Sequence, residues 1–433
     1  MKKFLGLILA VVMIASCFSV ALADEIPEAH LNWLSWMTKG EDEPTIKAFM
    51  EKYPQVKVEV MAIDGTNYAT DLITRCLGGD VPDVFLAQTN AINELVANGF
   101  IQPIDGLAGV DKQQANESIQ NLLSRDGKTY GYAINGGKGS RFVYYNKAMF
   151  AEAGIEKEPE TYEEFEAICA KLKEAGIDPL ITPAGDTWNA NYFANSFMVV
   201  NTVNLGMSKG TELALLKGEA KMSDLYGDMF RKMKEFYDNG WISEGGLSMG
   251  WEAGTQYFVD GGAAMICTGN WLPGSTPIQE APEDFEYGAF ILPGIPANDG
   301  MCYDTVGTDR CIFLSANPSS PEAAKALFEY FISDEVLYEY LTRQGLTGVN
   351  LEVPVAEVFQ GPMDTLANGK YVLTTDLGLP DMPSGYAPNL SQYCADVFSG
   401  ASVEELLAKL DADFDAAMST VDVESYIAAI EAK

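Results

Sequence analysis

The sequence is organised around residues 127–146, which read Gly-Lys-Thr-Tyr-Gly-Tyr-Ala-Ile-Asn-Gly-Gly-Lys-Gly-Ser-Arg-Phe-Val-Tyr-Tyr-Asn. Asp126-Gly127 is a turn signal, Thr129 to Ile134 reads as a short strand, and Arg141 to Tyr145 reads as a second strand. The glycines and polar residues between the two strands would let the chain cross a cleft and leave room for a ligand. An ordinary hairpin loop fits these residues equally well. The polar candidates for ligand contact here are Asn135, Lys138 and Arg141.

The first 23 residues have the three parts of a secretory signal. A charged start is followed by an apolar run from Phe4 to Ala15 and by Ala21-Leu22-Ala23, which has the small-x-small spacing of a cleavage site. Cleavage after Ala23 is the favoured interpretation. Ile14-Ala15-Ser16-Cys17 also resembles a lipobox, in which Cys17 would be lipidated, and this alternative stays open. In both cases we expect the working protein outside the cytoplasm, either secreted, periplasmic or attached to the cell surface.

The chain is long and strongly acidic. It has 62 acidic and 28 basic residues, and the resulting net charge of −34 repels nucleic acid and other polyanions. A length of 433 residues is too great for one compact core and suits two lobes, while 47% hydrophobic residues argue against a disordered acidic chain. We therefore expect two folded lobes that do not bind nucleic acid.

Histidine and cysteine usage argues against several kinds of active site. His30 is the only histidine, so a Ser-His-Asp or Cys-His centre would have to use it, and its place in the first strand favours packing. The cysteines lack the paired spacing of a metal site. Cys302–Cys311 is the first disulfide to consider, with buried thiols as an equal alternative. We predict no catalytic residue, no metal and no cofactor.

The first part of the chain alternates strands and helices. Strands are predicted at 31–36, 56–60 and 83–87, and helices at 44–53, 68–76 and 90–98. Strands separated by helices imply a parallel sheet, and ligands bind at the carboxyl ends of such strands. Trp36, Asp64 and Gln88 each follow a strand and are therefore candidates on one rim. A second α/β unit repeats the arrangement, with strands at 179–182 and 263–267.

Several short motifs, each weak alone, occur in an order that spans essentially the whole chain after the signal. They are Phe49–Pro54, Gly79–Val84, Tyr130-Gly131, Tyr144–Lys147, Phe258–Met265, Gly269-Asn270-Trp271, Asn317-Pro318 and the capped helix Ser402 to Met418. With this set the sequence resembles the carbohydrate-type extracellular solute-binding proteins of ABC importers, the group that includes maltose-binding protein.

The resemblance implies an α/β fold of the periplasmic-binding-protein type. Its two lobes, each a mainly parallel sheet flanked by helices, would be joined by crossing segments and close like a hinge over a sugar. Crossings are expected near Ala133, Asp304 and Asn350. Lobe I would then comprise residues 24–132 plus 305–350, and lobe II residues 133–304 plus 351–433.

Tryptophans in polar loops favour a carbohydrate ligand. The C–H faces of a pyranose pack on flat aromatic rings, and its hydroxyls pair with Asn, Gln, Asp and Arg side chains. The candidates, which fall in predicted loops at strand or helix ends, are Trp36, Trp188, Trp251 and Trp271. A place in a lobe core or on the surface is the alternative for each. Trp33 and Trp241 are assigned to packing.

The remaining candidates lie beside these loops and near the crossings. Asn270 shares the turn of Trp271. Asp309 and Arg310 lie near the return crossing, where the arginine would bind a sugar or a carboxylate, or the two would form a surface ion pair. The resemblance implies an aromatic ligand contact from the late loop 376–389, for which Tyr386 is the candidate and a plain linker the alternative.

The function implied by the resemblance is that of a solute-binding subunit of an ABC transporter. Such a monomeric subunit captures a sugar or oligosaccharide in an interlobe cleft and delivers it to the permease, with no enzymatic activity. The main rival is a secreted glycoside hydrolase with a carboxylate pair, which needs no histidine. A sensor's ligand-binding partner would share the fold. No motif identifies the sugar or its length.

Overall fold

The computed structural model describes residues 26–431 with gaps. The gaps are positions 38, 64, 66–67, 115–116, 139–141, 191, 195–208, 293–301, 309, 355, 368–370, 376–381 and 383–389. The predicted site residues Asp64, Arg141, Asp309 and Tyr386 lie outside the described residues, as do the side chain of Lys138 and the signal segment with Cys17 and Ala23.

Short strands and helices alternate through the described chain. In chain order the strands are β1 (Ala29–Ser35), β2 (Val56–Ala62), β3 (Val84–Ala87), β4 (Ser124–Arg125), β5 (Lys128–Thr129), β6 (Gly131–Ala133), β7 (Gly137–Lys138), β8 (Phe142–Asn146), β9 (Leu180–Ile181), β10 (Met265–Thr268), β11 (Tyr287–Phe290), β12 (Cys302–Gly307), β13 (Cys311–Leu314) and β14 (Tyr371–Thr375).

The described α-helices are Lys39–Lys52, Tyr68–Leu77, Ile92–Ala97, Asp111–Gln114, Glu117–Leu123, Lys147–Glu152, Tyr162–Glu174, Lys209–Leu216, Met222–Asp238, Trp251–Val259, Thr276–Gln279, Pro321–Phe331, Asp334–Gln344, Gln360–Ala367, Leu390–Phe398, Val403–Met418 and Val423–Glu431. None of these helices is long and apolar enough to span a membrane.

The chain divides into two compact units. Unit 1 comprises the described residues up to Asn135 together with Thr308–Thr342 and Gly348–Val353. Unit 2 comprises Gly136–Gly307, Arg343–Thr347 and Pro354–Lys433. The boundaries after Asn135, Gly307 and Val353 fall within three residues of the expected crossings. The short segment 343–347, which belongs to unit 2 between two stretches of unit 1, has no counterpart in the expectation.

Unit 1 is built on a five-stranded sheet in the order β2-β1-β3-β13-β6. β1 pairs in parallel with β2 and with β3, because a helix returns the chain to the same end of the sheet after each strand. β13 runs antiparallel to both β3 and β6. The predicted parallel sheet is therefore present in β1 to β3, and a strand from much later in the chain completes the sheet.

The first helix of unit 1 starts earlier than predicted. It runs from Lys39 to Lys52, whereas the sequence prediction placed its start at Pro44. Proline is common at helix starts, but here Glu41 and Asp42 occupy the first turn, where the positive end of the helix dipole favours negative charge. The helix therefore includes one acidic turn before the predicted start.

Unit 2 contains a four-stranded sheet in the order β11-β8-β10-β9 and a three-stranded sheet in the order β14-β12-β7. β9 and β10 are parallel, but β8 runs antiparallel to both β10 and β11. The expectation of a mainly parallel sheet is therefore wrong for this four-stranded sheet. The direction of a strand depends on where the chain enters the sheet, which the alternation of strands and helices does not encode.

Three methionines of one helix lie in the interior of unit 2. Met222, Met229 and Met233 lie at helical spacing on Met222–Asp238 and are all buried beside Phe230 and Phe236. Unbranched methionine side chains fill irregular gaps between aromatic rings. These methionines therefore belong to the core.

His30 is placed differently from the expectation, and Cys311 follows the buried-thiol alternative. His30 lies on β1, but its side chain is exposed and does not pack, because alternate positions of a strand face opposite sides. Cys311 lies on β13 as a buried thiol with its Sγ 3.6 Å from Thr308 Oγ1, so a Cys302–Cys311 disulfide is not formed. The other described cysteines, Cys76, Cys169, Cys267 and Cys394, are buried thiols as well.

Candidate functional site

Three of the predicted tryptophans meet in unit 2. The ring centroid of Trp188 lies 5.8 Å from that of Trp251 and 6.0 Å from that of Trp271. Tyr192, which the sequence analysis missed, lies 5.2 Å from Trp271 and 6.4 Å from Trp188. All four side chains are half-buried. These four residues are called the aromatic cluster below.

The aromatic cluster forms at the carboxyl ends of two parallel strands. β9 and β10 are paired with Leu180 beside Met265, so both strands end at the same edge of the sheet. Trp188 lies in the segment after β9, and Trp271 lies in the turn after β10. The rule that ligand-binding loops follow parallel strands therefore accounts for why residues so far apart in sequence meet here.

Two hydrogen bonds hold the Trp188 loop against the start of the helix Trp251–Val259. The Gly185 N–H donates to the Met249 carbonyl oxygen at 2.9 Å, and the Trp251 N–H donates to Asp186 Oδ2 at 2.6 Å. A carboxylate at a helix N-terminus is favoured by the exposed N–H groups and the helix dipole. Asp186 thereby fixes the distance between two members of the aromatic cluster.

The turn after β10 places the Trp271 ring against the backbone of Gly269. A Cβ atom at Gly269 would lie 2.1 Å from the Trp271 ring, so only glycine lets the indole lie this close. The Gly269 carbonyl accepts a hydrogen bond from Tyr144 Oη at 2.8 Å, and burial raises the pKa of this tyrosine, which keeps it a neutral donor. Asn270, in contrast, is 5% exposed and donates from Nδ2 to Thr347 Oγ1 at 2.9 Å.

In unit 1, Trp36 and Gln88 lie at one edge of the sheet, as predicted. They follow the neighbouring parallel strands β1 and β3. Trp36 is half-buried and its ring meets Tyr68 edge to face at 5.0 Å. Tyr68, a second aromatic missed from the sequence, donates to the Leu86 carbonyl at 2.6 Å, and the Gln88 side chain is exposed. Ligand contact by Trp36 and Gln88 stays a prediction.

Asn135 and Arg310 are buried inside unit 1. They are therefore neither at an exposed rim nor, for Arg310, in a surface ion pair. They are 2% and 4% exposed, and Asn135 Oδ1 accepts a hydrogen bond from the Arg310 backbone N–H at 3.0 Å. The Arg310 guanidinium donates to Tyr340 Oη at 3.1 Å. Sequence alone could not place the Arg310 side chain, because its partner Tyr340 lies on a helix whose packing position no local pattern encodes.

A buried carboxylate continues this network. Asp42 is fully buried and accepts hydrogen bonds from Trp33 Nε1 at 2.9 Å, Ser35 Oγ at 2.5 Å and Tyr340 Oη at 3.3 Å. Burial raises the pKa of Asp42, although the bonds from Ser35 and Trp33 and the charge of Arg310 act in the opposite direction. Trp33 and Ser35 belong to β1, so the network holds the strand that Trp36 follows.

The part of the chain that the structure describes holds no group of three or more His, Cys, Asp or Glu side chains arranged to bind a metal. The described polar groups beside the aromatic cluster include backbone amides and the carboxylate of Asp186, which accepts a hydrogen bond from the Trp251 N–H. Such an arrangement can bind a neutral ligand by ring contact and hydrogen bonding.

Comparison with known sequences places most of the chain in one family. The profile of the bacterial extracellular solute-binding proteins matches residues 35–337. The multiple sugar-binding protein of Streptococcus mutans is 24% identical over 352 residues, which cover 79% of this chain and 80% of that protein. A binding protein of Brucella abortus is 24% identical over 378 residues, which cover 86% of each chain.

Two solved structures have the same fold. A chitin oligosaccharide binding protein superposes with a TM-score of 0.73 at 22% identity, covering 90% of this chain and 99% of that one. The solute-binding protein RafE in complex with raffinose superposes with a TM-score of 0.71 at 21% identity, covering 89% and 98%. These likenesses confirm the predicted α/β fold of the periplasmic-binding-protein type. Since the family profile spans well over half of the sequence, the chain belongs to the bacterial extracellular solute-binding proteins.

Proposed function

We propose that this protein captures a neutral sugar or oligosaccharide outside the cytoplasm and delivers it to the membrane permease of an ABC transporter, without transforming it. The aromatic cluster is the observation that carries the proposal. The sugar ligands named for the Streptococcus mutans relative and for the two solved structures support the same class of ligand.

The aromatic cluster suits a sugar for physical reasons. Flat rings cover the C–H faces of a pyranose, and large rigid side chains lose little conformational entropy on binding. Contacts among the four rings at 5.2–6.4 Å already restrict their rotamers in the free protein. A ligand that covers these rings therefore gains apolar contact at a small ordering cost.

The charge of the protein favours a neutral ligand. The net charge is −34, which repels an anionic sugar. The argument for an acidic sugar rested on Arg310, and this guanidinium is buried and bonded to Tyr340. We therefore propose hydroxyl-rich neutral carbohydrates ahead of uronic acids.

The proposal includes contacts from both units. A ligand shifts an open–closed equilibrium only when it binds the two states differently, which requires contacts that form on closure. The proposed contacts in unit 1 are Trp36, Asp64 and Gln88. Those in unit 2 are Trp188, Trp251, Trp271 and Tyr192, with Lys138, Arg141 and Tyr386 as further candidates.

The first experiment is thermal unfolding of residues 24–433 with a panel of raffinose, chitin oligosaccharides and malto-oligosaccharides at about 1 mM. A ligand with micromolar affinity adds roughly 4 kcal/mol to the stability of the folded state at this concentration. A shift with one sugar class would support the proposal. The absence of a shift with every carbohydrate, together with a shift with amino acids or peptides, would contradict it.

Trp271→Ala tests the role of the aromatic cluster. We expect it to weaken binding at least about tenfold, because aromatic contacts and their buried area are lost. Trp241→Ala is the matched control, since Trp241 is also half-buried in unit 2 but packs edge to face on Phe236 at 5.0 Å. It should lower the melting temperature and leave the ligand affinity unchanged. Equal affinity of Trp271→Ala and wild type would remove the cluster from the site.

Two further measurements test the remaining parts of the proposal. Overnight incubation with each oligosaccharide followed by product analysis should show intact sugar, and cleavage beyond one equivalent would indicate a hydrolase. Mass analysis of the protein exported from cells distinguishes a chain beginning at Asp24 from one lipidated at Cys17.

A further inference from the structure

We propose that Asn270 and Thr347 form a lock that fastens the Trp271 turn to the segment Arg343–Thr347, and that Asn270 positions Trp271 without itself binding the sugar. The consequence for ligand affinity rests on the proposed function. The lock itself is a property of the free protein and can be tested without a ligand.

Three hydrogen bonds define the lock. Asn270 Nδ2 donates to Thr347 Oγ1 at 2.9 Å, and the same hydroxyl donates to the Gly136 carbonyl at 2.9 Å. The Gly136 N–H in turn donates to the Thr347 carbonyl at 3.1 Å. A hydroxyl has one proton to donate, and here Gly136 takes it while Asn270 supplies the bond that the oxygen accepts. Thr347 therefore joins Asn270 and Gly136 through a single atom.

Close backbone packing secures the other side of the same turn. A Cβ atom at Gly274 would lie 2.4 Å from the Gln344 carbonyl oxygen, so the two backbones are in direct contact. Gly345 follows with a φ of +66°, a conformation in which a side chain would be strained. Trp271 thus lies between two attachments to one segment, the Asn270 side chain before it and the Gly274 backbone after it.

The locked residues lie where the chain changes from one unit to the other. Gly136 is the first residue of unit 2, and the segment Arg343–Thr347 is preceded and followed in sequence by residues of unit 1. A change of backbone conformation at these boundaries would therefore act on Thr347, and through Asn270 on Trp271. By thermodynamic linkage, a ligand that fixes Trp271 would equally bias the backbone at the boundaries.

The same contacts distinguish a positioning role from direct binding. Asn270 is 5% exposed and donates an N–H of its amide to Thr347, whereas the neighbouring Trp271 indole is half-buried and contacts two other rings of the aromatic cluster, those of Trp188 and Tyr192. The sequence predicted that Asn270 contacts the ligand. In this proposal Asn270 instead holds the turn of Trp271, and Trp271 contacts the ligand.

Hydrogen exchange of the ligand-free protein tests the lock directly. Asn270→Ala should speed exchange of the Gly136 N–H, and Thr347→Val should speed exchange of the Leu272 and Gly274 N–H groups, which close the Trp271 turn. We expect increases of about fivefold or more, as for sites coupled through one shared contact. Thr347→Ser keeps the hydroxyl and should exchange like wild type. Unchanged exchange at Gly136 in Asn270→Ala would overturn the proposal.

A double-mutant cycle separates positioning from direct contact, with the panel sugar that stabilises the wild type most. Asn270→Ala and Thr347→Val should each weaken binding about tenfold, and the double variant should bind like the single ones, because both remove the same lock. Losses that multiply would mean that Asn270 acts on the ligand independently of Thr347, which contradicts the proposal. If no sugar binds the wild type, the proposed function fails, and the exchange experiment still decides the lock.

Discussion

At the scale of single residues, Asp42 shows how a buried charge is retained in a core. Its carboxylate accepts bonds from Trp33, Ser35 and Tyr340, and Tyr340 in turn accepts from Arg310. Removing an ion from water costs several kcal/mol, which attraction and hydrogen bonds offset only when the geometry is good. Deleting the carboxylate would leave the buried Trp33 Nε1–H without its hydrogen-bond acceptor. It would also leave the buried Arg310 guanidinium without the nearby negative charge. The network therefore stabilises one arrangement of β1 more than it adds to overall stability.

The raised pKa of Asp42 predicts a pH-dependent effect of Asp42→Asn. Because the folded-state pKa lies above the unfolded value, this group stabilises the fold fully below its ordinary pKa and loses that contribution as pH rises through the raised value. The asparagine does not titrate. The melting temperature of Asp42→Asn relative to wild type should therefore increase between about pH 4 and pH 7.

Circular dichroism melts at several pH values would measure this difference. The exposed turn residue Asp126 supplies the control, since Asp126→Asn keeps a residue type that tolerates its positive φ of 51°. This substitution controls for the loss of one negative charge from the chain. A flat or falling difference for Asp42→Asn would show that the carboxylate does not titrate as the burial implies.

At the scale of elements, the contact between the Trp188 loop and the helix Trp251–Val259 depends on one glycine. A Cβ atom at Gly185 would lie 2.7 Å from the Met249 carbonyl carbon and oxygen. Backbone atoms cannot turn aside as a flexible side chain can, so the loop and the helix would have to separate. Two members of the aromatic cluster would then move apart.

Gly185→Ala should accordingly destabilise the protein by about 1–3 kcal/mol, the usual cost of overpacking, and weaken sugar binding. Gly245→Ala is the control, because the nearest atom to its Cβ would be Tyr257 Oη at 3.6 Å, an ordinary van der Waals contact. Denaturant unfolding gives the stability, and titration of the tryptophan fluorescence gives the affinity. Wild-type affinity in a destabilised Gly185→Ala protein would show that the spacing of Trp188 and Trp251 is unimportant for the ligand.

Local patterns in the sequence predicted the elements well where short-range physics decides them. The motif Thr161-Tyr162-Glu163-Glu164 predicts a helix start, and Thr161 Oγ1 accepts from the Glu164 N–H at 3.2 Å. Glycine after an apolar helical stretch predicts a helix end, and Gly99 and Gly176 both have positive φ. Caps and end glycines act over three or four residues, so a single sequence shows them.

The parts that were missed depend on partners far away in sequence. β13 pairs with β3 and β6 although more than one hundred residues separate them, and β8 reverses the direction expected in unit 2. Tyr192 and Tyr68 joined the candidate sites only when the loops that hold Trp271 and Trp36 were placed. The tryptophans were identified because their type and their polar loops are local features, whereas their neighbours are not.

At the scale of the whole molecule, the dominant feature is an uncompensated charge of −34. Ion pairs such as Lys157–Glu164 and Arg231–Glu404 are exposed, and such pairs contribute about 0–1 kcal/mol each. Repulsion among the excess carboxylates acts over the whole surface and falls off with the Debye length. The net electrostatic contribution to folding is therefore unfavourable at low salt.

The melting temperature should consequently rise when sodium chloride is increased from about 0.02 M to about 0.5 M, because screening weakens the repulsion more than it weakens the few exposed ion pairs. Choline chloride at the same ionic strength should give the same rise, since screening does not depend on the identity of the cation. A melting temperature that falls with salt would mean that the favourable ion pairs dominate.

The position of β13 also bears on how the protein is made. β13 fills the gap between β3 and β6, yet the ribosome delivers it only after every strand from β7 to β12. Until then the growing chain carries two strand edges without their shared neighbour, and such edges recruit other strands. The first unit cannot complete its sheet during synthesis of its own N-terminal half. Completion of the fold is therefore delayed until residue 314 has emerged, and a chain truncated before that point would be prone to aggregate.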